Sequence, residues 1–253
     1  MDGKCGKVSD WTAGPWYRTR LPREDGPGGY YLKPPLRTAG RHVIELGCGR
    51  RNINLLACPG ESLAVLGVDV QEFEGADIVT DLDGLDRGPL PKDPVARGIL
   101  FHWSWAEQDS CQLVLSHQTL EHLRNLIPVM EEVWRICDEE AFFEVVVPYG
   151  AGKPALQDPT HVRFFTETTF RYWEPGFVQD FGDYGIRSLF AICGQAWRED
   201  GNLWTLLHAL KTEEELALWR SMKAESEDGI VRWPAPQWLL ERGPTLVGAA
   251  EEE

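Results

Sequence analysis

The chain has 253 residues, 43% of them hydrophobic, enough to bury the core of one α/β domain without disulfide or metal staples. A formal charge of −15 and an isoelectric point near 4.9 argue against polyanionic partners, so we expect no nucleic acid, no membrane surface, and a small or neutral substrate. The six cysteines form no CxxC pair, the N-terminus lacks the apolar centre of a signal peptide, and no run of about eighteen apolar residues occurs. This pattern fits a protein of the reducing cytoplasm.

Residues 1–40 mix glycine and proline with Trp11, Trp16, Tyr17, Tyr30 and Tyr31. Such a segment cannot build a regular core, and it reads as a flap or lid over one, or as a terminus tied down by its aromatic rings. A domain over 41–211 follows. Its first strand is Val43 to Leu46 and its second Val65 to Val70, joined by a short connection with Pro59-Gly60 inside it, which leaves room for a helix of one or two turns. The stretch HVIELGCGRRN carries the first strand through Glu45 into Gly47, Cys48 and Gly49. Glycines there let the main chain approach a ligand that a Cβ would push away. Asp69 closes the second apolar run about twenty residues later, the spacing at which α/β nucleotide folds set a carboxylate on ribose hydroxyls.

Ile78 to Thr80 reads as a short third strand ending at Asp81, and Gly88 to Asp109 as an irregular, Pro-punctuated excursion carrying Trp103 and Trp105. Gln112 to Leu115 is a fourth strand. A helical pattern begins at Leu120 to Leu126, and Pro128 suits the first turn of another helix through Cys137. Ala141 to Val147, aromatic and β-branched and ended by Pro148, is a central strand feeding the loop from Tyr149 to Arg163. Thr166 to Trp173 reads as helical. Ser188 to Trp197 and Leu203 to Leu210 form an antiparallel pair around Asp200-Gly201-Asn202. Within a C-terminal segment of 212–253, Thr212 and Glu215 make a capping box for a helix to about Met222, ahead of an acidic tail in which Trp233 and Trp238 can dock. The fold class expected is α/β: a Rossmann-like, doubly wound sheet, mostly parallel with an antiparallel last strand.

Five motifs in order carry a resemblance: LGCGR-N from Leu46 to Asn52, GVD from Gly67 to Asp69, DLD from Asp81 to Asp83, SHQTLEHL from Ser116 to Leu123, and DPTHVRFFT from Asp158 to Thr166. On them, the chain from about Val43 to Lys211 resembles class I S-adenosylmethionine-dependent methyltransferases, in particular a poorly characterised bacterial and phage branch. The resemblance implies S-adenosylmethionine as cofactor and S-adenosylhomocysteine as product. It implies that Gly47 and Gly49 meet the methionyl portion, that Asp69 accepts the ribose hydroxyls, and that Asp81 and Leu82 receive the adenine. Glu45, Cys48, Val70, Ser116 and His117 line the same site. Relatives carry a third glycine where this chain has Arg51. Arg50 beside it is a candidate clamp for a carboxylate.

Methyl transfer from a sulfonium is an in-line displacement in which alignment does most of the work and a base is optional. His161, partnered by Asp158, is the first candidate for that base, and His117 the second, with packing or cofactor contact as its other reading. DPTH also fits a turn in which Asp158 bonds backbone N–H groups and His161 locks the loop. Glu121 suits capping or pairing. Tyr149, Arg163 and Phe164 are candidate substrate contacts, and Phe165, Phe170, Tyr172 and Trp173 divide between pocket wall and core. His117, His122, Asp158 and His161 suit several divalent ions, but their spacing fits no defined ligand motif, so no metal is expected. Without a DPPY or NPPY tetrad after the fourth strand, oxygen acceptors on a small molecule or sugar-containing intermediate are favoured over nucleobase nitrogens. Two other readings stay open: a cofactor-binding partner or regulator acting through its Trp-rich ends, which also offer a homodimer surface, and a dinucleotide oxidoreductase, disfavoured because Asn52 stands at its third glycine.

Overall fold

The computed structural model describes residues 42–49, 55–58, 61–63, 65–73, 76–84, 103, 106, 108–177, 184–227 and 229–240. The expected flap over 1–40, Arg50, Trp105 and the acidic end lie outside these residues.

The strands are β1 His42–Leu46, β2 Leu55–Cys58, β3 Glu61–Leu63, β4 Val65–Asp69, β5 Ile78–Val79, β6 Cys111–His117, β7 Cys137–Pro148, β8 Phe190–Trp197 and β9 Asn202–Ala209. Seven of them form one sheet in the order β5-β4-β1-β6-β7-β9-β8. Four pairings, β5 with β4, β4 with β1, β1 with β6 and β6 with β7, are parallel. β9 runs antiparallel to both β7 and β8. β9 is therefore the single reversed strand of the sheet, and it is the last in sequence, as the doubly wound reading required.

Two apolar clusters flank this sheet. One gathers Ile44, Leu46, Val114, Phe143, Val145 and helix α1, Leu126–Ile136. The other gathers Val43, Leu113, Leu115, Val146 and Trp204 with Trp219 of helix α3, Glu213–Glu225. Alternate residues of β1, β6 and β7 thus feed opposite layers, which is why these strands read as continuous apolar runs. A short helix α2, Lys153–Gln157, lies in the loop after β7, and α4, Gln237–Leu240, follows α3.

Several local expectations change. Among its described residues the link between β1 and β4 holds an antiparallel hairpin, β2 with β3, where the sequence left room for a short helix; Leu55 to Cys58 is too short to close useful helical turns before Pro59-Gly60. The helical pattern over Leu120 to Leu126 yields only a 3₁₀ turn, Leu120–His122, and the separate helix expected around Pro128 is α1. The buried carboxylate of Asp83 accepts from the N–H groups of Arg124 and Asn125 at 2.9 and 2.6 Å, taking donors that a continuous helix would have used. Thr166 to Trp173 likewise yields only a 3₁₀ turn, Thr169–Trp173. β7 starts at Cys137, with Asp138 to Glu140 forming a bulge between the Cys111–Cys137 and Leu113–Phe142 pairs. The capping box of Thr212 and Glu215 forms as expected. Trp233 docks, stacking on His208 at 5.3 Å.

Candidate active site

The neighbours of β1 are β4 and β6, so successive connections from this centre leave in opposite directions and open a crevice at the carboxyl ends of the strands. The turn after β1 lies at this point. Gly47 and Gly49 both have left-handed backbones, φ +69° and +59°, which only glycine adopts without strain. Their surroundings differ. A Cβ on Gly47 would lie 2.0 Å from Thr119 Oγ1, whereas a Cβ on Gly49 would meet nothing within 4 Å. Gly47 is therefore set by packing against the turn after β6, and Gly49 faces open space among the described residues.

The turn is tied to β4. The N–H groups of Gly47 and Cys48 donate to the Val68 carbonyl at 2.8 and 3.2 Å. Gly49 N–H donates to Asp69 Oδ2, and Gln71 N–H to Asp69 Oδ1, each at 2.9 Å. The expected main-chain donors are thus turned inward, and the strand-end carboxylate organises the glycine turn itself. An ionised carboxylate offers about four lone-pair sites, so Asp69 retains acceptor capacity beyond these two bonds. Val70 beside it is 61% exposed, an apolar surface at the lip of the crevice. Asp81 Oδ1 accepts from Asp83 N–H, and the side chain of Leu82 is packed in the core, so only its backbone remains for a ligand. Glu45 is buried, and burial, with Asp69, Glu45 and Asp77 nearby, pushes the Cys48 thiol up to about 12, leaving it neutral and unreactive.

β6 ends at His117, and Gln118 follows with φ +53°. That left-handed step, costly for a side-chain-bearing residue, returns the chain so that Thr119 Oγ1 donates to the Leu46 carbonyl at 3.1 Å. Ser116 is fully buried between β1 and β7, and its Oγ has no hydrogen-bond partner among the described residues. His117 Nε2 is bonded to Glu144 Oε1 at 2.9 Å, and the Glu144 side chain is fully buried. Glu144 was not among the residues singled out in the sequence, although a single acid inside AFFEVVVP was the available signal.

The loop after β7 carries the remaining candidates. Asp158 Oδ1 accepts from Thr160 N–H and Oγ1 at 2.8 and 2.6 Å, bonds that hold its carboxyl below the ordinary carboxylate range. His161 Nδ1 is bonded to the Ala155 carbonyl at 3.0 Å. Its Nε2 lies 3.9 Å from Asp158 Oδ2 and 4.0 Å from Glu121 Oε1. Val162 N–H donates to the Glu121 carbonyl at 2.9 Å. Glu121 is 1% exposed, neither of its carboxylate oxygens has a hydrogen-bond partner among the described residues, and burial pushes its carboxyl up to about 7 despite His161 nearby. Asp158 thus forms the turn expected of DPTH, and His161 is bonded within the same loop.

Arg163, expected at substrate, is instead a clamp. Its Nε donates to the Leu123 carbonyl at 2.6 Å and its Nη2 to the Arg124 carbonyl, which fastens the loop to the turn before α1. Tyr149 packs on Trp197 with centroids 4.1 Å apart. Phe164 is 56% exposed and stays available as a contact, while Phe165, Phe170 and Trp173 belong to the core.

No known sequence family matches the chain, and no curated protein does. Among solved structures it is similar to a proposed S-adenosylmethionine-dependent methyltransferase from Listeria monocytogenes, at 15% identity over 68% of this chain and 92% of that one, TM-score 0.42. It is also similar to a chain of the Haloferax volcanii complex between the Trm112 methyltransferase activator and a proposed methyltransferase, at 14% identity over 68% and 84%, TM-score 0.41. An S-adenosylmethionine-dependent methyltransferase from Aquifex aeolicus matches at 12% identity over 68% and 82%, TM-score 0.38. The fold assignment rests on the strand order and register described above. Among the described residues no helix is long and apolar enough to cross a membrane.

Proposed function

We propose that the protein is an S-adenosylmethionine-dependent methyltransferase acting on an oxygen, and less readily a nitrogen, of a small molecule or sugar-containing intermediate. The observation that carries this reading is the left-handed turn at Gly49, open above its Cα and bonded to a strand-end carboxylate at the switch point of the sheet. The residues fit an adenosyl ligand: Gly49 leaves room where any Cβ would intrude, Asp69 has lone pairs for ribose hydroxyls, and Val70 gives an apolar lip. When bound, the cofactor supplies an electrophilic methyl on a sulfonium.

The chain's own contribution is to hold the acceptor in line and to receive its proton. We assign the proton to His117 in preference to His161. With Nε2–H donating to the buried Glu144 carboxylate, the basic lone pair of His117 is on Nδ1, and the imidazolium formed on taking a proton there is stabilised by Glu144. His117 sits at the same end of the sheet as the glycine turn. The buried free thiols of Cys48, Cys111, Cys137 and Cys193 support a reducing, cytoplasmic setting.

Isothermal titration with S-adenosylmethionine and S-adenosylhomocysteine tests the reading. Binding in the micromolar range is expected, weakened at least tenfold by Asp69→Ala; no heat with either ligand overturns it. Transfer of labelled methyl into small-molecule extract then identifies the acceptor.

A further inference from the structure

Glu121, His122 and His161 bring one ligand atom each to within 4.8 Å of one another. They come from two segments, the 3₁₀ turn after β6 and the loop after β7, which the Val162–Glu121 backbone bond and the Arg163 clamp hold together. Three features of the cluster point to a cation. First, Glu121 is 1% exposed and both its carboxylate oxygens lack a hydrogen-bond partner among the described residues, though buried carboxylates are almost always paired, bonded or metal-bound. Second, the His161 Nδ1–H bond to the Ala155 carbonyl leaves Nε2 as a free lone pair on the Glu121 side, the outer bond that orients metal-bound histidines. Third, His122 Nδ1 is bonded at 2.9 Å to Thr160 Oγ1, whose own proton goes to Asp158 Oδ1 at 2.6 Å. That hydroxyl therefore accepts from His122 Nδ1–H, so the second imidazole is also oriented, with Nε2 left as its atom for a ligand.

From this juxtaposition we propose that Glu121, His122 and His161 form a binding site for a divalent transition-metal ion of the zinc class. Two imidazoles and one carboxylate suit zinc, iron, nickel or copper, whereas magnesium and calcium take oxygen donors. An ion roughly 2 Å from each donor sets donors about 3.4 Å apart in a tetrahedron, so the cluster closes by about 1 Å on binding. Three protein donors leave at least one position open, and Asp158 Oδ2, 3.9 Å from His161 Nε2, stands near enough to fill it or to be displaced. Spacing alone shows no ligand motif because His161 lies about forty residues from the adjacent Glu121 and His122 and meets them only through the backbone contacts between the two segments. Metal binding itself does not rest on the methyl-transfer reading.

The test is titration of cobalt(II), a spectroscopic stand-in for zinc, into chelator-treated full-length protein without cofactor. One equivalent is expected to give a visible absorption band that zinc displaces. His122→Ala and His161→Ala should abolish the band, Glu121→Gln should weaken binding at least tenfold, and His117→Ala should leave it intact. Melting curves in chelator identify variants that fold; should an imidazole variant fail to fold, Glu121→Gln carries the test. No band at millimolar cobalt, or a band unchanged in Glu121→Gln and in any folded imidazole variant, overturns the proposal. Because no methyl donor is present, failure here leaves the methyl-transfer reading standing, and the reverse.

Discussion

Three glutamate–histidine pairs stand among the described residues, and they are not alike. Glu144 with His117, and Glu215 with His208, are closed at 2.9 Å. Glu121 and His161 stand 4.0 Å apart, with the carboxylate buried and without a bond among the described residues. The first pair orients a ring at the crevice, and the second joins β9 to a helix cap. The third is left open by the same backbone contacts that hold it in place. Equivalent side chains thus do different work according to whether the fold brings them into bonding distance or stops them short of it.

Removing each carboxylate should separate the three most clearly. Glu144→Ala takes away the partner of His117 and leaves a cavity in the middle of the sheet, and is expected to lower stability by about 3–5 kcal/mol in urea unfolding. A loss under about 1 kcal/mol would mean the pair is not closed in solution. His117→Ala should reduce turnover by about 10²-fold or more at unchanged cofactor affinity; full turnover would hand the base role back to His161. Glu121→Gln, in chelator-treated protein, replaces a buried carboxyl that has no hydrogen-bond partner among the described residues, so stability is expected to stay level or rise by about 1–2 kcal/mol. A marked fall would show that Glu121 is closed after all.

The smallest effect belongs to the cap. Thr212→Ala should cost about 1 kcal/mol, read as a lower melting temperature. The pH dependence has a defined sign. Burial acts to raise the Glu215 carboxyl, but bonds from His208, Lys211 N–H and Thr212 N–H outweigh it and hold it below its ordinary 4.5. The folded value is below the unfolded one, so this stabilisation is present above about pH 4.5 and is lost as pH falls through the folded value. Glu215→Gln should flatten that acidic limb, and an unchanged limb would refute the assignment.

Legibility in the sequence follows distance along the chain. The order of strands, the reversal at the end and the Thr212–Glu215 cap are readable because each rests on apolar runs or spacings within a few residues. The Gly49–Asp69 bond is half readable: the two residues stand out, but the sequence implies that both face a ligand, whereas they also bond each other. The carbonyl partners of Arg163 and the ring partner of Glu144 are not legible, because they lie tens of residues away at positions that depend on the assembled sheet. The shortening of the Leu120 turn has the same origin, since Asp83 takes the N–H groups of Arg124 and Asn125 from across the fold.

β9 has a consequence for how the molecule assembles. All the crevice residues discussed precede residue 165, yet the outer edge of β7, the longest strand, finds its hydrogen-bonding partner only in residues 202–208. A nascent chain emerging from the ribosome would carry a finished glycine turn beside an uncovered apolar edge, a template for mispairing with neighbouring chains. Completion of the sheet therefore waits on the final reversed strand, which acts as the closing seam of the domain.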